Sequence, residues 1–327
     1  MNSFGTIFRI HVFGESHGAG VGVTIDGCPP GIPLSESDLL PDLARRKSGA
    51  KGTTPRMEDD LPEFFSGVYN GFTTGAPITI LFRNANVQSK DYDGLKDTPR
   101  PGHADFTARV KFQGFADPRG GGHFSGRLTL CLVAAGVIAK KICSPVHIEA
   151  KLIEAGGSAA IEKAIDNALE VGDSIGGIVE CRSSGIAAGL GEPFFNSIES
   201  SIAHLAFSIP AIKGIEFGSG FAAAGMLGSQ HNDSIIDTEG TTSTNHAGGI
   251  NGGITNGNEL VFRIAVKPPS SIGIAQQTIN MRTGAMDSLE VRGRHDACIA
   301  LRVPVVAEAI AAIALADMIA LYKATRL

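Results

Sequence analysis

The chain has 327 residues, 43% hydrophobic and 19% charged, enough apolar surface to bury a large core in one or two domains. A net charge of −5, no Trp and three Tyr exclude a chain-wide electrostatic footprint for nucleic acid and leave few platforms for stacking single-stranded bases. The five cysteines are scattered, with no C-x-x-C pair, which argues against a disulfide framework or zinc ribbon and fits a reducing cytoplasm. The opening MNSFGTIFRIH lacks the basic-then-apolar layout of a signal peptide.

In chain order, periodicity predicts strands near 5–13 and 21–26, a helix near 36–47 kinked at Pro41, and a strand near 76–83. A helix near 125–142 follows, then a strand near 146–153, a helix near 159–171 and a strand near 176–182. An Asn196–Glu199 capping pair should open a helix near 197–207. Strands near 213–217 and 259–266 precede a last helix near 304–323. Its stretch VPVVAEAIAAIALADMIALY, 303–322, has spanning length but contains Glu308 and Asp317. Each acid costs roughly 2.5–3.5 kcal/mol at a bilayer centre, so a buried core helix is expected and no membrane partner.

The 42 glycines follow no collagen period and sit at the ends of apolar runs, as turns require. Several segments echo one another. GVTIDGCPPGI (22–32) matches GIVECRSSGI (177–186), GVYNGFTTGAPITILFRN (67–84) matches GGITNGNELVFRIAVKP (252–268), and RPGHAD (100–105) matches RGRHDA (292–297). Each member of the last pair precedes a long alanine-rich helix. These ordered echoes predict a single α+β domain over 1–327, with two similar halves of roughly 1–145 and 146–327 around paired long helices. Neither a Rossmann G-x-G-x-x-G in βαβ context nor a P-loop is present.

Three clusters could carry chemistry. Arg45, Arg46, Lys47, Lys51 and Arg56 crowd the end of the first helix; they suit either a solvated helix cap or an anionic ligand. DPRGGGHFSGR, 117–127, combines three glycines with Arg119, His123, Ser125 and Arg127 ahead of a helix, the pattern of a phosphate cradle or of loop filler. NHAGGINGGITNG, 245–257, and VKPPSS, 266–271, offer close backbone approach for a planar ligand and donors for anions, or a pair of hairpin loops. His17, His103 and His295 sit in Gly- or Arg-containing loops and are candidates for proton transfer, whereas His204 and His147 read as helix and strand residues. If 11–17 were one strand, His11, Glu15 and His17 would share a face and could ligate a metal, the basis of an alternative metal-dependent hydrolase. Gly14 and Gly18 argue against that strand, and no metal site is expected. A third alternative is a non-catalytic binder of a phosphorylated ligand.

Together, GESHG (14–18), VTIDGCPPGIPL (23–34), RPGHAD (100–105), RGGG (119–122), GLGEP (189–193), TNHAGG (244–249), KPPSS (267–271) and GRHDAC (293–298) resemble, in order, the signatures of chorismate synthase. The resemblance runs from about residue 5 to residue 320. It implies a β-α-β sandwich with long helices between antiparallel sheets, a homotetramer, and the 1,4-elimination of phosphate from 5-enolpyruvylshikimate 3-phosphate to give chorismate. That reaction has no net redox change yet requires reduced FMN. The resemblance further implies His17 as proton donor, His103 beside the flavin ring and Asp296 assisting proton removal relayed through the flavin. Arg45, Arg46, Arg119 and Arg127 would hold substrate anions. His123, Ser125, Ala211, Gly252, Lys267, Pro268, Pro269, Ser270, Ser271 and Arg294 would line FMN. Two departures stand out. The common Arg-Ser-Ser-Ala-Arg-Glu after the glycines is here His123-Phe124-Ser125-Gly126-Arg127-Leu128, and a basic position expected before the paired threonines is Gly52. With no flavin-reductase motif visible, an outside source of reduced flavin is favoured over reduction by NADPH on the protein itself.

Overall fold

In the computed structural model, which describes residues 1–54, 58–84, 97–291 and 295–326, alternating apolar positions form two antiparallel sheets. The first part of the chain supplies β1 (Ser3–Phe4), β2 (Arg9–Gly14), β3 (Gly20–Asp26), α1 (Glu36–Arg46), β4 (Glu63–Ser66), β5 (Val68–Tyr69), β6 (Phe72–Thr73), β7 (Ile78–Arg83), α2 (Asp105–Lys111) and α3 (Thr129–Cys143). There follow β8 (His147–Ala155), α4 (Ile161–Glu170), β9 (Gly177–Ser184), α5 (Ile198–Ala206), β10 (Ile212–Phe217) and α6 (Gly228–His231). Hairpins β11 (Ile250–Asn251)/β12 (Ile254–Thr255) and β14 (Gln276–Ile279)/β15 (Met286–Leu289) flank β13 (Leu260–Val266), and α7 (Pro304–Ala324) ends the fold.

One sheet runs β1-β2-β3-β7-β4 and the other β10-β13-β9-β8. β2-β3-β7-β4 and β8-β9-β13-β10 follow the same spatial order in the same chain order, with α1 and α5, then α3 and α7, in equivalent places in the chain. Two of the three echoes noted in the sequence fall on equivalent pairs, β3 with β9 and β7 with β13; the third, RPGHAD with RGRHDA, lies partly outside the described residues. The inward positions Val21, Val23 and Ile25 of β3 and Phe262, Ile264 and Val266 of β13 are buried, the period of two that a half-covered sheet requires.

α3 and α7 fill the space between the sheets. Both are apolar nearly all round and buried along most of their length, the condition of a helix with protein on every side. α3 lies against β3 and α7 against β8 and β9. They approach closely where a Cβ built on Gly136 would lie 2.4 Å from that of Ala309. The two acids of α7 have specific partners. Glu308 receives Arg45 Nη1, Lys140 Nζ and the Ala150 N–H at 2.8, 2.8 and 3.1 Å. Asp317 accepts the N–H groups of Thr6, Ile7 and Phe8 at 2.8, 2.8 and 2.9 Å. Buried carboxylates persist only with such compensation.

The same Asp317 contacts explain why the strand expected over 5–13 is broken. Gly5, at φ +98°, turns the chain and three amides leave the ladder for the carboxylate. Three other expectations change. α5 is capped by Ser197, whose Oγ accepts the Ser200 N–H at 3.0 Å, and not by Asn196, which ends a preceding 3₁₀ turn. α3 begins at Thr129 after a 3₁₀ turn over Gly126–Leu128, later than expected. RPGHAD opens the short α2 before the long helix is reached. Pro41 lies inside α1 without ending it.

Candidate active site

The site grows from two loops stitched together. β2 ends at Gly14 (φ +96°), so His11 and His17 do not share a strand face. His11 stays in the sheet, its Nδ1 2.7 Å from Ser3 Oγ. Beyond the break, the Ser16 N–H donates to Gly122 O at 3.1 Å and His123 Nδ1 donates to Gly14 O at 2.7 Å. These bonds bring the 14–17 loop against the three glycines, all at positive φ. His17, only 5% exposed, packs its Cδ2–Nε2 edge on Gly120, where a Cβ would sit 2.5–2.6 Å away. One residue on, His103 presents Cε1 and Nε2 to Gly121, at 3.6 Å from a built Cβ. Two imidazoles thus flank consecutive glycines.

His103 is delivered by a turn. Pro101 and Gly102 (φ +70°) occupy its centre, and the His103 N–H donates to Arg100 O at 3.2 Å, as a type II turn with Pro-Gly requires. Arg100 and Asp105 close on the ring from either end of that turn.

Cations form a second wall. Asp60, at φ +52° and 3% exposed, accepts Arg46 Nη2 and Arg127 Nη1 at 2.8 Å each. Asn84 Oδ1 accepts Arg127 Nε at 2.6 Å. Burial, with the charges of Arg302 and Arg127, pushes the Arg46 guanidinium down to about 10 against the pull of Asp60. Burial raises the Asp60 carboxyl, but the two arginines outweigh it and hold it below the usual range. Asp296 accepts the Thr54 N–H at 3.0 Å and faces Arg302 Nη1 at 3.5 Å. Opposite, a β-bulge between Ile212 and Gly214 directs Lys213 toward the cavity beside Lys267, as bulges near sites do. Burial and the Lys213 charge push Lys267 below the usual lysine range. Lys267 Nζ donates to Ser270 Oγ at 2.8 Å, and among the described residues no carboxylate pairs with either lysine.

These walls enclose a cavity of about 860 Å³. His103, Asp296, Arg46 and Arg127 line it, as do His123, Ser125, Ala211, Lys267, Pro269, Ser270 and Ser271. His17 lies immediately behind Gly120 and Ser16, which line it too. Phe4, Ile10, Val12, Leu132 and Leu205 give one apolar side. Other expected residues stand apart. Arg45 is turned to Glu308 and Asp42, and Arg119 pairs with Asp117 at 2.8 Å in an exposed position. Gly252 sits in the β11–β12 hairpin, outside the lining. Pro268 is not on the lining although both neighbours are. Arg294, with Arg56 of the basic cluster, lies outside the described residues, and Lys51 pairs with Asp166. Among the described residues no group of three or more His, Cys, Asp or Glu is placed to hold a metal ion, so the His11–Glu15–His17 set of the hydrolase alternative does not form.

Sequence reasoning missed Asp60, Arg100, Asp105, Lys213 and Arg302. Arg100 and Asp105 stand inside RPGHAD, where the -R-x-x-H-x-D- spacing is an available signal. Asp60 and Lys213 gave none, since their roles depend on partners far along the chain.

The fold and this cavity define a protein with imidazoles and buried cations around one large pocket, and comparison with known proteins makes its class specific. The family model for chorismate synthase matches residues 8–320. A chorismate synthase of Chitinophaga pinensis is 64% identical over 322 residues, covering 98% of this chain and 97% of that protein. One from Dehalococcoides mccartyi is 45% identical, covering 97% and 96%. A crystal structure of chorismate synthase superposes with a TM-score of 0.75 at 28% identity, covering 98% of this chain and 93% of that one. The chain belongs to the chorismate synthase family and is an enzyme, a lyase.

Proposed function

We propose that the cavity carries out the 1,4-elimination of phosphate from 5-enolpyruvylshikimate 3-phosphate, giving chorismate, with reduced FMN as cofactor. A proton and a phosphate leave opposite ends of a four-carbon unit and a second double bond forms, so atoms and charge balance without net oxidation. The observation that carries this function is the pair of imidazoles on Gly120 and Gly121 beside a wall of buried arginines.

The substrate bears a phosphate and two carboxylates, and Arg46 and Arg127 meet them already fixed by Asp60, so little reorganisation is needed as charge develops on the departing phosphate. Arg302, steadied by Asp296, extends the same wall. His17 is the proton donor to the departing group; its packing on Gly120 fixes the ring. His103 holds or moves a proton at Nε2, and Asp296 assists removal of the substrate proton.

The residues present fit FMN. The apolar side can cover a flat ring system, while Lys213 and Lys267 form a like-charged pair that a phosphate would neutralise. Ser270 and Ser271 stand beside them as donors, and His123 and Ser125 also line the cavity. FMN bound there supplies the electron-rich ring that lets the elimination proceed.

The chain acts as one domain of two similar halves, a reading supported by the matching strand orders. Exposed Phe194, Phe195, Phe221 and Leu227 support assembly into a homotetramer. Reduced flavin comes from an outside source, and the enzyme works in the cytoplasm. The test mixes the pure protein with the enolpyruvyl substrate and chemically reduced FMN without oxygen. Chorismate and phosphate should appear in equal amounts, and their absence would end the proposal.

A further inference from the structure

The turn at 100–103 and the first residue of α2 tie three side chains into a knot that the proposed proton transfer does not itself explain. Arg100 grips Asp105 with Nε to Oδ2 and Nη2 to Oδ1, both at 2.8 Å, and its backbone N–H donates to Oδ2 at 3.1 Å. Asp105 Oδ1 lies 2.5 Å from His103 Nδ1, a separation that requires a proton between them. Burial would raise the Asp105 carboxyl, but the hydrogen bonds from Arg100 and His103 outweigh it and hold it well below the usual carboxylate range. The shared proton therefore resides on Nδ1. Arg100 Nη2, 3.0 Å from the same nitrogen, finds its acceptor in the carboxylate. The remaining ring nitrogen, Nε2, is the one beside Gly121.

We infer that Asp105 is a positioning residue that fixes His103 as the Nδ1–H tautomer, so that its free nitrogen, Nε2, always faces the reacting groups. Arg100 links this dyad to the cofactor segment, because its Nη1 donates to Ser271 Oγ at 3.0 Å. A carboxylate that sets the tautomer and orientation of an imidazole is a general device of proton-transfer sites. Asn at 105 offers Arg100 one acceptor where the carboxylate offers two. With its oxygen turned to Arg100, its NH₂ faces Nδ1 and forces the opposite tautomer. The part played by His103 in turnover rests on the proposed function; the tautomer does not.

The test uses the full-length protein labelled with ¹⁵N-histidine, without ligands, near pH 8, with His103 signals assigned by their loss in His103→Asn. Long-range ¹H–¹⁵N correlation should show His103 with a protonated Nδ1 and a bare Nε2. Asp105→Asn should reverse the pattern and lower kcat about 100-fold with KM changed less than about threefold, as loss of the correct tautomer does. Asp105→Glu should restore the wild-type pattern and recover kcat to within about tenfold. A wild-type His103 protonated at Nε2, or unchanged kcat in Asp105→Asn, overturns the inference. The wild-type spectrum needs no turnover, and the His103→Asn variant serves only to assign it. A protein with the expected tautomer that forms no chorismate therefore refutes the proposed reaction and leaves the dyad standing.

Discussion

Replacing Gly120 by Ala tests how the glycine loop sets His17. Two costs arise. At φ +59° an alanine is left-handed, which costs about 1–2 kcal/mol of stability. Its Cβ would also lie 2.5 Å from His17 Cδ2, 2.6 Å from Nε2 and 3.0 Å from Ser16 Oγ. Contact between carbons is comfortable at about 3.5–4.0 Å, so the ring must move by about 1 Å. A displacement of that size at a reacting group lowers turnover by on the order of 10²-fold, about 2.7 kcal/mol in the barrier. Gly121→Ala is the control. It sits at φ +79° and incurs a similar conformational cost, but its Cβ meets His103 at an ordinary 3.6 Å. Thermal unfolding should show comparable destabilisation of the two variants. Anaerobic steady-state assays should show kcat down about 100-fold for Gly120→Ala and within about threefold of wild type for Gly121→Ala. Equal kcat losses in the two variants, or an unimpaired Gly120→Ala, would refute the reasoning.

Asp60→Asn removes the one carboxylate shared by Arg46 and Arg127; leaving buried charges uncompensated should cost about 3–5 kcal/mol by chemical denaturation. The Asp60 carboxyl is held below its unfolded value. Its stabilising share is therefore complete above about pH 4 and is lost as pH falls through the lower folded value. The slope of stability against pH below 4 should be shallower in the variant, and identical slopes would contradict this. Gly136→Ala, whose Cβ would meet Ala309 at 2.4 Å, should cost about 1–3 kcal/mol by overpacking the α3–α7 contact; an unchanged melting temperature would show that the helices part freely. Lys213→Ala should weaken FMN binding about tenfold, the loss of one charge-assisted contact, and make that binding less sensitive to salt. Flavin titration giving wild-type affinity would remove Lys213 from the site.

What could be read in the sequence follows from how local each cause is. α3 and α7 were legible because continuous apolar stretches with helical length admit few alternatives, and the acids in α7 already marked it as a protein core helix. What those acids bind was not legible, since Asp317 serves amides at residues 6–8 and Glu308 joins α1, α3 and β8. The break at Gly5 is invisible in the sequence for that reason. α2 is not legible because seven residues present barely two turns of periodicity. His103, Arg46, Arg127 and the 267–271 segment stand out in the sequence as motifs or basic clusters, and in the structure all of them but Pro268 line the cavity. In the sequence the glycine loop has the pattern of a phosphate cradle or of loop filler; in the structure its glycines make room for two imidazoles, and the contact with His17 depends on packing between segments about a hundred residues apart. Arg45 was grouped with Arg46 by adjacency, yet one position along a helix turns a side chain by about a quarter of a turn, and Arg45 faces Glu308 instead of the cavity.

The most direct measurement is anaerobic turnover of 5-enolpyruvylshikimate 3-phosphate with chemically reduced FMN by the wild-type protein and by His17→Ala, with FMN affinity measured on both. Wild type should release chorismate and phosphate one for one, and His17→Ala should lose turnover while binding FMN nearly as well. Chorismate formed by His17→Ala at the wild-type rate, or none formed by the wild type, would contradict the account.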